Sequence, residues 1–205
     1  MQKPVAFEIV ETLSPGHGLL PAKCDVVRLE DGQLGVRKDF SASQGILRRA
    51  LGRLAVAREC RAYRRLEGMT GIPRLFGTTG ESGFLVEYVS GKPVSDVQLL
   101  NAYDFAEQFE RLLTEMHSRG VTHGEIRFAH VLADSADRPW LVDFATSTVT
   151  DPARPSGLFR LQRRLDRYGW LLIKDRLLSG RLSAEERAEL RRNRLLAGVL
   201  RRNMI

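Results

Sequence analysis

The residue types best able to do chemistry collect in one stretch of this 205-residue chain. It runs His123-Gly124-Glu125-Ile126-Arg127-Phe128-Ala129-His130-Val131-Leu132 and is followed by Leu141-Val142-Asp143-Phe144-Ala145. Carboxylates, imidazoles and an arginine are the side chains that move protons and hold anions or cations. Here they stand between short apolar runs, the pattern of loops that present polar groups from a scaffold. Asp143 follows His130 by 13 residues and Glu125 by 18. A second set lies upstream. Val36 and Lys38 fall on the same side of a strand-like run. Glu59 stands four residues from both Ala55 and Tyr63, on the apolar stripe of a helical run. That is an unfavourable place for an acid without a cation, and pairing with Lys38 resolves it.

The elements that carry these residues change character along the chain. Residues 5–13 read as a strand, broken by Ser14-Pro15-Gly16-His17-Gly18. Residues 25–30 and 33–40 flank Asp31-Gly32, a two-residue hairpin signal. Over 46–67, Leu47, Leu51, Leu54, Ala55, Ala62, Tyr63 and Leu66 recur at helical steps, and Gly71-Ile72-Pro73 breaks the run. Short strands follow at 74–78 and 83–89, with a hinge at Ser90-Gly91-Lys92-Pro93. The chain is mostly helical from about residue 94. Residues 103–119 carry Phe105, Phe109, Leu112, Leu113 and Met116 on one stripe, with Gly120 as the stop. Short strands are expected at 121–123, 131–133 and 140–144, and a Thr/Ser/Pro-rich loop at 145–157. Helices are expected near 158–179 and 184–202, the second opened by a Ser183/Glu186 capping box. Strands first and helices second make an α+β arrangement. His17 and His117 read as structural or surface residues and Cys60 as helix packing, while Cys24 has no evident role.

The stretch from His123 strongly resembles the catalytic and metal loops of the protein-kinase-like fold. There H-[R/G]-D-L-K-x-x-N-I-L is followed by an apolar strand and D-F-G. Upstream, Gly35-Val36-Arg37-Lys38 resembles the family's third strand, and Glu59 the acid of its Lys–Glu bridge. Phe84-Leu85-Val86-Glu87-Tyr88-Val89-Ser90-Gly91 resembles its hinge strand, and Pro15-Gly16-His17-Gly18 its phosphate-covering turn. The resemblance covers nearly the whole chain. It implies two lobes: a small antiparallel-sheet N-lobe over about 1–90, a hinge at about 87–93 and a reduced helical C-lobe over about 94–205. It implies ATP bound by Gly16, Gly18, Val36, Lys38, Glu59 and the backbone of Glu87 and Val89. Mg²⁺ would be held at Asp143 and His130. Glu125 would accept the proton of the acceptor hydroxyl, Arg127 would keep positive charge beside the moving phosphate, and His123 and Asp166 would support the loop.

The His-Gly-Glu form is similar to the His-Gly-Asp of RIO-type kinases, lipopolysaccharide core sugar kinases and aminoglycoside phosphotransferases. Arg163-Arg164-Leu165-Asp166-Arg167-Tyr168 resembles the lipopolysaccharide-kinase helix whose aspartate buttresses the catalytic loop. No Ala-Pro-Glu motif follows Phe144. The best match is a small bacterial kinase of the RIO/lipopolysaccharide-kinase type. Three positions depart from the pattern. Glu125 reaches one methylene further than Asp, and a shift of about 1 Å can cost on the order of 10²-fold in rate. His130 replaces the Asn of the second metal, and imidazole is a poor Mg²⁺ ligand. Ala145 replaces the glycine of D-F-G. Two readings follow: an ATP-dependent phosphotransferase acting on a sugar or glycolipid hydroxyl, with protein Ser/Thr the lesser choice, or a pseudokinase that binds nucleotide and regulates a partner.

Composition bounds both readings. Hydrophobic residues make up 43% and charged residues 28%, too apolar for a disordered chain. Two cysteines exclude a disulfide scaffold or a cysteine-based zinc site. The start MQKPVAFEIVETL has no signal-peptide core and no run has bilayer length, so a cytoplasmic protein is expected. The net charge is +7, but residues 1–153 carry −2 and residues 154–205 carry +9. That excess suits an anionic glycolipid or peripheral contact with the inner face of the cytoplasmic membrane. Nucleic acid is disfavoured, because no groove-reading motif or aromatic platform accompanies the charge.

Overall fold

The β-prone runs of the first 90 residues pair into one antiparallel sheet in a computed structural model. The structure describes residues 6–15, 22–41 and 46–202, with side chains as far as Arg194. Strands β1 (Phe7–Ser14), β2 (Lys23–Leu29), β3 (Leu34–Asp39), β4 (Leu75–Thr78) and β5 (Gly83–Glu87) lie in the order β1-β2-β3-β5-β4. The expected turn with Gly16 and Gly18 lies outside the described residues. The β2–β3 connection holds four residues, 30–33, rather than two: Leu29 N donates to Gln33 O at 2.9 Å and Gly32 N to Leu29 O at 2.9 Å. Asp31 shapes it by accepting from both the backbone and the side chain of Gln33.

Helix α1 (Ile46–Arg65) packs on this sheet, but not by the stripe its leucines suggest. Leu47 is 74% and Leu54 64% exposed, while Gly52, Val56, Glu59, Cys60, Ala62 and Tyr63 are buried. Apolar residues occupy two sides of this helix. The side that meets the sheet is the one where Gly52 adds no bulk against Phe40. It also brings Tyr63 beside Phe84, with ring centroids 6.2 Å apart. Cys60 is packing, as expected, and burial pushes its thiol up to about 11, so it stays protonated.

The chain divides into two compact units at Ser90–Gly91. The second unit begins with β6 (Gly91–Pro93), a strand hidden in sequence by its Gly and Pro. It pairs with β8 (Val131–Asp134), which pairs with β9 (Pro139–Leu141). β9 ends at Leu141 rather than Phe144. β7 (Val121–Thr122) pairs with β10 (Thr148–Val149), a short strand inside the expected 145–157 loop. Helix α2 (Ala102–Ser118) is capped by Asn101, which accepts from the Tyr103 and Asp104 amides. Phe105, Phe109, Leu112, Leu113 and Met116 are all buried. Helix α3 (Gly157–Leu177) buries Phe159, Trp170, Leu171 and Ile173, with the Trp170 ring 4.4 Å from that of Phe109. Helix α4 (Ala184–Arg202) starts at the expected box: Glu186 N donates to Ser183 Oγ at 3.1 Å and Ser183 N to Glu186 Oε2 at 2.9 Å.

Candidate functional site

In the first unit the strand–helix contact sets one lysine. The sheet alternation puts Val36 and Lys38 on one face and Gly35, Arg37 and Asp39 on the other. Lys38 Nζ lies 2.8 Å from Glu59 Oε1, with side-chain exposures of 15% and 1%. Burial of the acid makes the lysine's charge the favourable neighbour, and the lysine keeps a path to water. On the opposite face Arg37 ion-pairs with Asp39 and lies 3.6 Å from the buried Asp25 carboxylate. Glu87 and Val89 sit where β5 ends. Glu87 N donates to Arg74 O at 2.8 Å, and Tyr88 N to Leu34 O at 3.1 Å. The Glu87 side chain accepts from Arg74 N at 3.1 Å, so the segment is fixed from both neighbouring strands.

In the second unit a lattice of hydrogen bonds shapes the loop. Asp166, fully buried on α3, accepts from His123 N at 2.9 Å and Gly124 N at 2.7 Å. His117 Nε2 donates to the same carboxylate at 2.9 Å. Gly124 has φ +86°, and a Cβ there would press on Thr146 O. Gly169, one turn beyond Asp166, lets α3 touch the Ile126 carbonyl, which a Cβ would strike. Thr146 Oγ1 donates to His123 O at 2.9 Å, Gln162 Nε2 to Thr146 O at 3.0 Å and Thr122 Oγ1 to Gln162 Oε1 at 2.7 Å.

Each of the two loop histidines bridges the loop through both ring nitrogens. His123 Nε2 donates to Val142 O at 3.0 Å, and its Nδ1 accepts from Glu125 N at 3.3 Å. His130 Nδ1 donates to Glu125 O at 2.8 Å, and its Nε2 accepts from Arg127 Nε at 3.0 Å. Burial holds the His130 imidazole below its ordinary value, against the opposing pull of its bond to the Glu125 carbonyl. Val142 N donates to His130 O at 3.0 Å, which fixes the start of the next loop. There Asp143 adopts φ +69°, a left-handed conformation that costs a non-glycine residue energy and is held by its surroundings. Phe144 is buried edge-on to the His123 ring at 5.0 Å.

Glu125, Arg127, His130 and Asp143 are thus brought together. Arg127 Nη1 lies 3.4 Å from Glu125 Oε1, and His130 Nε2 3.6 Å from Asp143 Oδ2. Among the described residues no three His, Cys, Asp or Glu side chains form a metal cage. The carboxylates of Glu125 and Asp143 are 48% and 39% exposed, hard oxygen donors that suit a magnesium ion completed by water and phosphate. His130 does not fit the metal role expected of it, because both ring nitrogens are already bonded. His117 and Gly169 were not legible as part of the site. His117 continues the i+4 row Phe109–Leu113, which is the signal that places it inward. Gly169 stands three residues after Asp166 and so on the same side of α3.

No family model matches the sequence, and no curated protein is similar to it. Solved structures are similar in shape. One is the Rio2 kinase ADP/Mg²⁺-phosphoaspartate complex from Chaetomium thermophilum, with 14% identity and a TM-score of 0.64, matched over 89% of this chain and 61% of that one. Another structure of the Rio2 kinase from the same organism matches with 14% identity and a TM-score of 0.64, over 89% of this chain and 63% of that one. The chain therefore spans less than two thirds of the length of the kinases it matches. With the antiparallel sheet, the Lys38–Glu59 strand–helix pair and the two bonded loops, the likeness shows that this chain has the protein-kinase-like fold.

Proposed function

We propose that this protein is an ATP-dependent phosphotransferase that moves the γ-phosphate to a hydroxyl on a lipopolysaccharide-core sugar or other glycolipid. The observation that carries the reading is the Lys38–Glu59 pair at 2.8 Å, an acid kept buried to orient one cation. Lys38 takes the nucleotide phosphates, Val36 lies along the adenine, and the backbone of Glu87 and Val89, at a hinge spanning 87–93, bonds its edge. Asp143 would hold Mg²⁺, which would supply neutralisation of phosphate charge when bound. Glu125 accepts the acceptor's hydroxyl proton as that oxygen bonds to the γ-phosphorus and the bond to the departing ADP oxygen breaks. Arg127 keeps positive charge beside the moving phosphate. Asp166 and His123 hold the Glu125 loop in place through the bonds described above.

The acceptor class rests on the basic excess beyond residue 153, where Arg160, Arg163, Arg187 and Arg191 are exposed. An anionic glycolipid or membrane inner face complements that charge. Among the described residues no helix is long and apolar enough to cross a membrane. The protein would then work in the cytoplasm and touch the bilayer from outside it. The pseudokinase reading is favoured by one contact: Arg127 lies beside the Glu125 carboxylate that would act as base.

The test is binding and transfer of radiolabelled Mg·ATP with lipopolysaccharide core as acceptor. Lys38→Ala and Asp143→Asn should lose nucleotide affinity; Asn tolerates the left-handed backbone at 143 and so isolates the charge. Glu125→Ala should bind ATP and lose transfer. ATP binding untouched in the Lys38 and Asp143 variants overturns the site. Binding without transfer, unchanged by Glu125→Ala, selects the pseudokinase.

A further inference from the structure

Position 130 is where the loop departs furthest from what a two-metal phosphate site needs. His130 stands at the end of the short 3-10 turn Phe128–His130, buried, with both nitrogens used inside the loop. A carbonyl oxygen only accepts, so the 2.8 Å contact to Glu125 O puts the proton on Nδ1. The lone pair is then on Nε2, and the Arg127 Nε–H takes it at 3.0 Å. No lone pair is left for a cation, and a buried neutral imidazole is a poor partner for magnesium in any case. The bond does something else. Arg127 is 58% exposed, and a long exposed arginine would otherwise sample many rotamers. Gripped at Nε, its guanidinium is kept with Nη1 3.4 Å from Glu125 Oε1. One imidazole therefore ties the backbone of residue 125 to the side chain of residue 127.

We infer that His130 is a positioning residue and not a metal ligand: it latches Arg127 beside Glu125, so that phosphates are met by one divalent cation and by the Arg127 guanidinium in place of a second. The cation count rests on the phosphotransferase reading above; the latch does not.

Two measurements on the full chain separate them. The first needs no nucleotide. Nitrogen-15 NMR of the histidine rings at neutral pH should show His130 as the Nδ1–H tautomer, with Nε2 shifting when Arg127→Ala removes its donor and with His123 unmoved. A His130 Nε2 signal that ignores Arg127→Ala overturns the latch. The second counts Mn²⁺ bound in the presence of a non-hydrolysable ATP analogue, by electron paramagnetic resonance. One Mn²⁺ per chain is expected, and two overturns the one-cation site. If no analogue binds at all, the function reading fails, while the NMR result still decides the latch. Substitution at 130 completes the test. His130→Gln can donate to the Glu125 carbonyl and accept from Arg127, whereas His130→Ala can do neither. His130→Ala should weaken Mg·analogue binding about tenfold, the worth of one hydrogen bond to a charged group, and His130→Gln should restore most of it. Equal loss in both variants, with circular dichroism showing both folded, overturns the positioning role.

Discussion

In the first unit an ion pair between a strand and a helix sets Lys38. In the second, the Glu125 and Asp143 carboxylates sit on loops held by backbone amides, two ring bridges and a buried aspartate. The difference follows from what each scaffold offers. A strand fixes side-chain direction by its own pleat, and Glu59 meets Lys38 across the helix contact. A loop has no such periodicity, and its backbone groups must find partners elsewhere. Asp166 supplies acceptors for two amides and one imidazole at once. The loops of the second unit thus depend on distributed bonding, while Lys38 in the first takes its direction from the strand and its partner from the helix.

The comparison breaks most easily at Asp166. Asp166→Ala removes a buried acceptor of three bonds and leaves the His123 and Gly124 amides without it. Urea unfolding should show a loss of about 3–5 kcal/mol, with Asp166→Asn losing less because its amide oxygen still accepts. A loss under about 1 kcal/mol would mean the loop holds itself, and the contrast with the first unit would disappear. The first unit should be more tolerant. Lys38→Ala should cost about 1–3 kcal/mol, and Glu59→Gln less, because the lysine can turn to water while Glu59 at 1% exposure cannot. If Glu59→Gln costs more than Lys38→Ala, the pair is not organised around the buried acid.

A third handle is pH. Glu110 on α2 accepts from Arg167, Trp170 and Lys174 of α3, and Lys174 also bonds Glu186 of α4. Burial works to raise the Glu110 carboxyl, but the bonds to Lys174 and Trp170 and the nearby charges outweigh it and hold it below its ordinary 4.5. A carboxyl lowered on folding stabilises fully above its unfolded value and loses that contribution as pH falls through its folded value. Thermal melts should therefore decline from about pH 4.5 downward, and Glu110→Gln should flatten part of that decline. Asp25 in the first unit and Asp134 in the second are lowered too, so the variant leaves a residual slope. Glu110 is about a third exposed, which limits its share to under about 1 kcal/mol after solvent screening.

Elements with one apolar side were legible in the sequence, and those with two were not. Helix α2 follows its stripe residue by residue because only one face is apolar. Helix α1 carries leucines on one side and Gly52, Val56 and Tyr63 on another, and periodicity alone cannot choose between them. The Lys38–Glu59 contact was legible because an acid on a helix stripe demands a cation. β6 was not, since Gly91 and Pro93 are turn residues whose strand exists only through pairing with β8. The bonding of His130 was hidden for a related reason: a residue type states which ligands it could offer, and only the fold states which of its lone pairs are already taken.

The smallest effect expected lies on α1 and isolates the choice of face. Leu54 is 64% exposed and Val56, two residues on, is buried. Leu54→Gln keeps a good helix former and uncovers nothing, so unfolding should change by no more than about 0.5 kcal/mol. Val56→Ala removes two buried methyl groups from the contact with the sheet and should cost clearly more. The opposite order would place the leucine stripe inward, rotate α1 on the sheet and carry Glu59 away from Lys38. Two conservative surface and core variants thus test the Lys38–Glu59 ion pair without touching either of its members.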